Sequence, residues 1–260
     1  MSFMRLKLLF FLCLGAALPV LGENRTFSGP EYIAGVKAAR PKGGVYIRAR
    51  LVQGSSVLQI QIKGRNLPDG GSEKLVQVIF PKERKGESLL LRSGRGGFSG
   101  SLFKPGQGVK ALTAGDRRLA VFGTDLTVED LLADFLDWKQ QNITGHEKMG
   151  AVPCVVIESV PDKGGKSPSK AVSWIDEKRY VPMRVQIFDG GDKPARIVDS
   201  EKVMAVSSGY YMPTTFAVTT VASGSKTTVD GSSSRADVNY TDADFSDKAL
   251  QQVTPPPSGP

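Results

Sequence analysis

Hydrophobic and polar residues alternate with a period of two along most of the chain after residue 44. Leu58, Ile60 and Ile62 are separated by glutamine residues, and Val185 and Ile187 show the same alternation in a later run. This is the period of a strand with one buried and one hydrated face. Glycine, proline and aspartate separate successive runs, which predicts an antiparallel meander. The predicted strands cover residues 45–51, 57–63, 74–80, 87–92, 97–104, 152–160, 170–176, 181–189, 195–206, 210–221 and 226–238.

Helical periodicity is restricted to short segments. A capping box at residues 127–130 precedes an apolar stripe that includes Leu131 and Phe135, and this predicts the clearest helix, which ends near Trp138. A short amphipathic helix over 31–39 precedes the first strand, and a helical turn over 244–250 follows the last. With 29 glycines and 16 prolines among 260 residues, the composition favours turns over long helices. The chain is therefore predicted to be mainly β, of the α+β class.

Residues 1–22 have the pattern of a secretory signal peptide. Two basic residues precede an apolar run that ends at Leu21, and Gly22 fits a cleavage site. The run is shorter than the roughly 20 residues that a membrane-spanning helix needs. Lipid modification of Cys13 is disfavoured, because Leu12 stands where lipoprotein signals carry a small residue. We therefore expect export without a membrane anchor.

The rest of the chain is predicted to form one domain over residues 23–252, followed by a disordered proline-rich tail at 253–260. Cys154 is the one cysteine beyond the predicted cleavage site, so a large core rather than a disulfide must stabilise the domain. A bacterial periplasm fits this organisation. The formal net charge of +8 favours anionic lipid headgroups. Nucleic acid is not expected as a partner, because the sequence shows no module of interleaved basic and aromatic residues.

Few residues of the common catalytic sets are present. The single histidine, His146, has only a neighbouring glutamate beside it, and neither Ser159 nor Ser173 lies in a nucleophile elbow. A hydrolase is therefore the weakest hypothesis, and neither an enzyme nor a cofactor is predicted. The acidic residues at 125–137 could hold a cation, but their spacing matches no calcium loop. A solvated acidic helix face is the simpler interpretation, so no metal site is predicted.

Two motifs resemble the outer membrane lipoprotein-sorting proteins, the LolA-like group of periplasmic lipoprotein carriers. One places a glycine, a hydroxyl residue and an aspartate at the head of the predicted helix. The other leads from a tryptophan-containing strand through an aspartate turn into a strand that opens with proline and ends in an aspartate-glycine turn. We expect these residues to hold turns and caps rather than to touch cargo. The motif residues are Gly123, Asp125, Asp130, Trp174, Asp176 and Pro182.

The resemblance implies a half-open antiparallel β-barrel, a strongly curved sheet whose concave apolar face is covered by a few helices. Such a sheet encloses a cavity suited to acyl chains. The positions expected to line this cavity, for which ordinary core is the alternative, are Ile60, Ile62, Val78, Phe80, Leu131, Phe135, Val185 and Ile187.

The function implied by the resemblance is that of a periplasmic carrier or binder of lipid or lipoprotein acyl chains. Envelope membrane proteins that load or accept the cargo would be its partners. The alternative is an envelope regulatory or protein-binding module of the same fold, suggested by the basic charge and by a first helix shorter than that of typical carriers.

Overall fold

One antiparallel sheet contains all thirteen strands of the computed structural model, which describes residues 27–94, 97–162, 168–207 and 210–255. The order across the sheet is β6-β5-β4-β3-β2-β1-β13-β12-β11-β10-β9-β8-β7. The first half contains β1 (Gly44–Gln53), β2 (Ser56–Asn66), β3 (Ser72–Phe80), β4 (Ser88–Gly94), β5 (Gly97–Lys104) and β6 (Gly108–Leu112). The second half contains β7 (Gln140–Met149), β8 (Val152–Val160), β9 (Lys170–Asp176), β10 (Pro182–Phe188), β11 (Arg196–Ser207), β12 (Tyr210–Thr220) and β13 (Ser225–Val238).

Two meanders build this sheet, and the pairing of β1 with β13 joins them. Strands β6 and β7 lie at opposite edges, so the sheet is open rather than closed. The predicted fold class, a strongly curved open sheet with few helices, is confirmed. Strands β6 and β7 themselves were not predicted, because most of their side chains are exposed and no buried face imposes an alternating pattern on them.

The helices are short, and all but two lie between or after the two meanders. The α-helices are α1 (Gly29–Ala38), α2 (Val128–Leu132) and α3 (Asp247–Gln251), and 3-10 helices occur at Lys82–Arg84, Ala114–Arg118, Val121–Gly123, Asp134–Asp137 and Asp242–Phe245. The helix predicted to reach Trp138 is interrupted, because Ala133 adopts a left-handed conformation with φ of 50° and ends α2. The chain then continues as a 3-10 helix.

Residues 114–138, here called the cover segment, pack on the concave face of the sheet. The largest hydrophobic cluster contains residues from β1 to β4, β12 and β13 together with residues of the cover segment. Strands β4 to β1, β13 and β12 are consecutive neighbours in the sheet, and the cover segment packs across them. In the register of the sheet Ile47 lies opposite Ile62 and Ala49 opposite Ile60, which places these four side chains on the same face.

Residues 242–255, here called the C-terminal strap, pack on the opposite, convex face. Phe245 and Leu250 of the strap form a separate cluster with Leu75 and Leu90 of β3 and β4. The sheet is thus covered on both sides. Within the part of the chain that the structure describes, no helix is long and apolar enough to cross a membrane. The predicted signal peptide at 1–22 lies outside the described residues.

Candidate ligand-binding site

The wall positions predicted from the sequence lie on the concave face, with one exception. Ile60, Val78 and Leu131 belong to, or pack against, the largest cluster, which Ile62 also contacts. Phe135, Val185 and Ile187 meet in an adjoining cluster. The structure therefore brings seven of the eight predicted positions to one face. That they contact an acyl chain remains a prediction.

Phe80 departs from the prediction. Its side chain is 53% exposed, and it belongs to neither concave cluster. Phe80 is the last residue of β3, and the pairing of β2 with β3 shifts register between Gln59 and Ile60. A register shift breaks the alternation of side chains between the two faces. The Phe80 side chain, which strict alternation would point towards the concave face, is therefore directed to solvent.

Asp125 fastens the cover segment to the end of the sheet formed by β1, β12 and β13. Its carboxylate accepts hydrogen bonds from Gln53 Nε2 (2.8 Å), Ser225 Oγ (2.9 Å), Thr227 Oγ1 (2.9 Å) and Thr220 Oγ1 (3.0 Å). Burial alone would raise the pKa of Asp125, but these hydrogen bonds together lower it. The charged form of this motif residue is therefore the one that docks the cover segment.

Asp130 provides a second attachment next to the first. Its Oδ2 accepts from the backbone N–H of Thr127 (2.7 Å) and from the Thr127 hydroxyl (2.8 Å), as the predicted capping box requires. The Arg196 guanidinium of β11 pairs with Asp130 and donates to the Asp125 carbonyl at 2.6 Å. Gly123 precedes this site with φ of 74°, a conformation that glycine adopts without steric cost.

The second motif lies away from the cover segment. Trp174 donates from Nε1 to Glu147 at 2.8 Å, and Asp176 accepts from the backbone N–H groups of Lys178 (2.8 Å) and Arg179 (3.1 Å) in the turn before β10. Pro182 opens β10, as the motif requires. These contacts hold a turn, so the geometry agrees with the expected structural role.

Lys74 fastens the middle of the cover segment, and sequence reasoning missed it. This residue shares the concave face of β3 with Val76 and Val78, and its Nζ donates to the carbonyl of Leu131 at 2.5 Å. Burial, aided by repulsion from Arg40, lowers its pKa to about 8 against the attraction of Asp134 and Asp137. A lone lysine in a strand gives no sequence signal that it lies beneath a covering segment.

The cover segment also contains features that make its docking costly. The Glu129 carboxylate is buried without a hydrogen-bond partner, with Arg117 Nε at 3.6 Å and Arg118 at 4.0 Å. Burial raises its pKa despite both arginines. Phe122 and Ala133 adopt left-handed conformations with φ of 53° and 50°, which cost a residue with a side chain about 1 kcal/mol or more.

Beyond the cover segment, a cleft remains open over the central strands β1, β11, β12 and β13, at the strand ends opposite to those that hold Asp125. Its volume is about 170 Å³, below the roughly 300–1,000 Å³ of typical ligand pockets. The cleft is lined by Ile47, Met204, Met212, Pro213, Thr214, Gly231, Ser233 and Ser234.

Comparison with known proteins finds solved structures with a similar fold. The fold is similar to that of an outer membrane lipoprotein-sorting protein domain from Vibrio parahaemolyticus (TM-score 0.80, 21% identity, covering 86% of this chain and 98% of the other). It is also similar to a DUF1329 family protein from Desulfovibrio piger (TM-score 0.77, 22% identity, 86% and 98% coverage). A LolA superfamily protein from Nitrosomonas europaea matches with a TM-score of 0.65 and 15% identity over 86% of this chain and 100% of the other.

These findings define the class of protein as one with the fold of the LolA-like lipoprotein-sorting proteins, which confirms the resemblance drawn from the two motifs. A family model described as "Uncharacterized protein"-like matches residues 70–252, more than half of the chain, and the chain belongs to that family. No curated protein matches the sequence significantly.

Proposed function

We propose that the protein is a periplasmic carrier or binder of acyl chains from lipids or lipoproteins. The observation that carries this proposal is the cover segment, which packs Val121, Phe122 and Leu126 against an apolar concave wall. It is fastened to that wall by a few polar contacts and contains a buried carboxylate that accepts no hydrogen bond. A segment of this kind can leave an apolar wall for a ligand without unfolding the sheet.

The free energy of acyl burial fits such an exchange. Burying about 12 methylenes at about 0.8 kcal/mol each gives roughly 10 kcal/mol. If the cavity stayed empty in the free protein, this full free energy would favour the bound state, and release of the acyl chain would be slow. In this structure the side chains of the cover segment already occupy the wall. An acyl chain would replace apolar contacts rather than fill a void, so net binding would be weaker and release to a partner faster.

The proposal includes a periplasmic location, because the predicted signal peptide directs export and the fold is that of lipoprotein-sorting proteins. It includes transient contact with envelope membrane proteins that load or accept cargo. We infer that the protein acts without catalysing a reaction and without a cofactor, since transfer of an acyl chain between apolar sites needs neither.

Native mass spectrometry of the protein purified gently from its periplasm tests the proposal, followed by identification of anything extracted. Lipid or acylated peptide at a defined ratio is expected. A protein that is empty and fails to take up a fluorescent fatty acid would contradict the proposal and favour the protein-binding module.

A matched pair of variants localises the site. Ile62→Asp introduces a charge on the concave wall next to the cleft, because Ile62 pairs with Ile47. We expect it to weaken fatty-acid uptake at least tenfold, since an unpaired charge beside an acyl chain is costly. Val109→Asp places the same charge at an exposed position of the edge strand β6 and should leave uptake unchanged. Equal uptake by the two variants would show that the concave wall does not bind the ligand.

A further inference from the structure

The hairpin between β11 and β12 separates from the rest of the sheet before it turns. Strand β10 pairs with β11 only between residues 196 and 199, and β13 pairs with β12 only between residues 215 and 220. Residues 203–207 and 210–214, here called the ribbon, pair with no strand other than each other in the part of the chain that the structure describes. The ribbon therefore leaves the sheet along both of its edges.

The ribbon crosses β13 on the concave side of the sheet. Gly231 of β13 lies opposite Ala49 of β1, which belongs to the concave cluster, so a Cβ on Gly231 would also point to the concave face. Such a Cβ would lie 2.5 Å from the carbonyl oxygen of Thr214, closer than real Cβ contacts occur. Glycine thus allows β12 to pass directly over β13 at the point where the two strands part.

The cleft of about 170 Å³ lies between the ribbon and the central strands. Its roof contains Met204 and Met212, which are directly paired across the ribbon, and Pro213. Its floor contains Ile47 of β1 and Ser234 of β13, which are also direct partners. Ile47 packs against the largest hydrophobic cluster as well. The floor of the cleft is therefore continuous with the apolar wall beneath the cover segment.

The size and chemistry of the cleft indicate which part of an acyl ligand it would hold. An aliphatic cavity of about 150 Å³ binds benzene, so a cleft of this size has room for about six carbons. None of its lining residues is charged, and a charged headgroup inside it would have no partner. Met204 is 46% exposed, so the cleft opens to solvent, where a headgroup stays hydrated. Methionine side chains adapt their shape to an apolar ligand.

We propose that the methyl end of the acyl chain binds first in this cleft, beneath the ribbon, while the cover segment is still docked. This proposal rests on the proposed function and adds a first binding site at the strand ends opposite to Asp125. About six carbons fill the cleft. A longer chain continues past Ile47 onto the concave wall and replaces the cover segment there. Short chains are thus bound without displacing the cover segment, and long chains displace it.

The test compares hexanoate with palmitate, which share a headgroup and differ in chain length. The full protein is labelled with ¹³C in its methionine methyl groups and titrated with each ligand. Hexanoate should shift the signals of Met204 and Met212 in a saturable manner. The signal of Met149, at the end of the edge strand β7, should not move. Hydrogen exchange of residues 114–138 should be unchanged by hexanoate and accelerated by palmitate.

A matched pair of variants tests the roof of the cleft. Met204→Gln replaces an exposed apolar side chain with a polar one of similar length, so the protein should fold. It should weaken hexanoate binding about tenfold, because the amide loses water to an apolar cleft. Met149→Gln makes the same change outside the cleft and should leave hexanoate binding unaltered.

The contrary results separate this proposal from the proposed function. If hexanoate shifts Met149 as much as Met204 and Met212, or binds both variants equally, the cleft site is overturned, and uptake of palmitate would still support the carrier. Faster exchange of the cover segment with hexanoate would overturn the order of binding. If hexanoate occupies the cleft but palmitate does not bind, the proposed function is overturned. Failure of both ligands to bind would overturn the two proposals together.

Discussion

The cover segment and the C-terminal strap pack short helices against opposite faces of the same sheet, but they satisfy their buried polar groups differently. In the strap, Gln77 of β3 donates to the carbonyls of Ala249 (3.0 Å) and Gln252 (3.2 Å), and Gln61 of β2 donates to Thr254 at 2.9 Å. In the cover segment the buried Glu129 carboxylate accepts no hydrogen bond. A buried polar group without a hydrogen bond costs free energy, so it lowers the cost of lifting the cover segment off the sheet.

The buried lysines beneath the two segments differ in the same way. The fully buried Lys63 of β2 donates to Thr254 Oγ1 at 2.8 Å, so the strap satisfies a cation on the convex face with its own atoms. On the concave face, Lys74 depends on one backbone carbonyl of the cover segment. The strap therefore completes the core, whereas the cover segment occupies a site. This difference distinguishes the proposed ligand-binding face from the structural face.

The largest expected effect belongs to the strap. Leu250→Ala removes a fully buried side chain between β3 and β4 and should lower the free energy of unfolding by about 2–5 kcal/mol. Urea denaturation followed by fluorescence measures the loss. The fraction that remains folded should bind fatty acid normally. If the folded fraction binds fatty acid more weakly, the strap also contributes to ligand binding and does not differ from the cover segment in this respect.

An intermediate effect is expected where the cover segment is docked. Asp125→Ala removes four hydrogen bonds to the carboxylate and should lower the free energy of unfolding by about 2 kcal/mol. Acyl binding should become tighter, because the docked state that competes with the ligand is weakened. Denaturation and fluorescent fatty-acid titration of the same preparation measure both quantities. Weaker binding together with lower stability would show that Asp125 supports the core alone.

The pH dependence of the same variant provides its control. Since the pKa of Asp125 is lowered in the folded protein, its contribution is complete above the unfolded pKa of about 3.9 and is lost as the pH falls through the folded value. The difference in stability between the unaltered protein and Asp125→Ala should therefore shrink on acidification. If this difference in stability stays constant down to the pH of acid unfolding, the conclusion that Asp125 acts in its ionised form would be contradicted.

The smallest expected effect concerns Glu129. Because burial raises the pKa of this carboxyl, its ionised form costs stability above the folded pKa, and the cost is relieved as the pH falls through that value. Glu129→Gln should raise the free energy of unfolding at neutral pH by up to about 1 kcal/mol and weaken acyl binding slightly. Thermal denaturation at two pH values checks this, since the gain should vanish in acid. A loss of stability at neutral pH would show that the pairs with Arg117 and Arg118 outweigh the burial of the charge.

The fold was predictable where the sequence pattern is local. Alternation such as that of Leu58, Ile60 and Ile62 specifies a strand and its buried face, and the capping box at Thr127 specifies where α2 begins. The end of that helix was not predictable, because the left-handed Ala133 carries no signal in its residue type. Edge strands escaped detection for a related reason, since exposure on both faces removes the alternation.

The candidate site was predictable only in its apolar part. Lys74 meets Leu131 across 57 residues of sequence, and Arg196 meets Asp130 across 66. Contacts this distant depend on how the cover segment crosses the sheet, which no local pattern encodes. The prediction for Phe80 was wrong because a register shift is invisible to the period of two.

Hydrogen exchange of the protein with and without a bound fatty acid tests whether the ligand displaces the cover segment. Ligand binding should accelerate exchange of the backbone amides in the cover segment, residues 114–138, while those of the strap helix Asp247–Gln251 keep their protection. Bound ligand that leaves exchange in the cover segment unchanged, or that accelerates it in the strap instead, would contradict the claim that the cover segment is the element the ligand displaces.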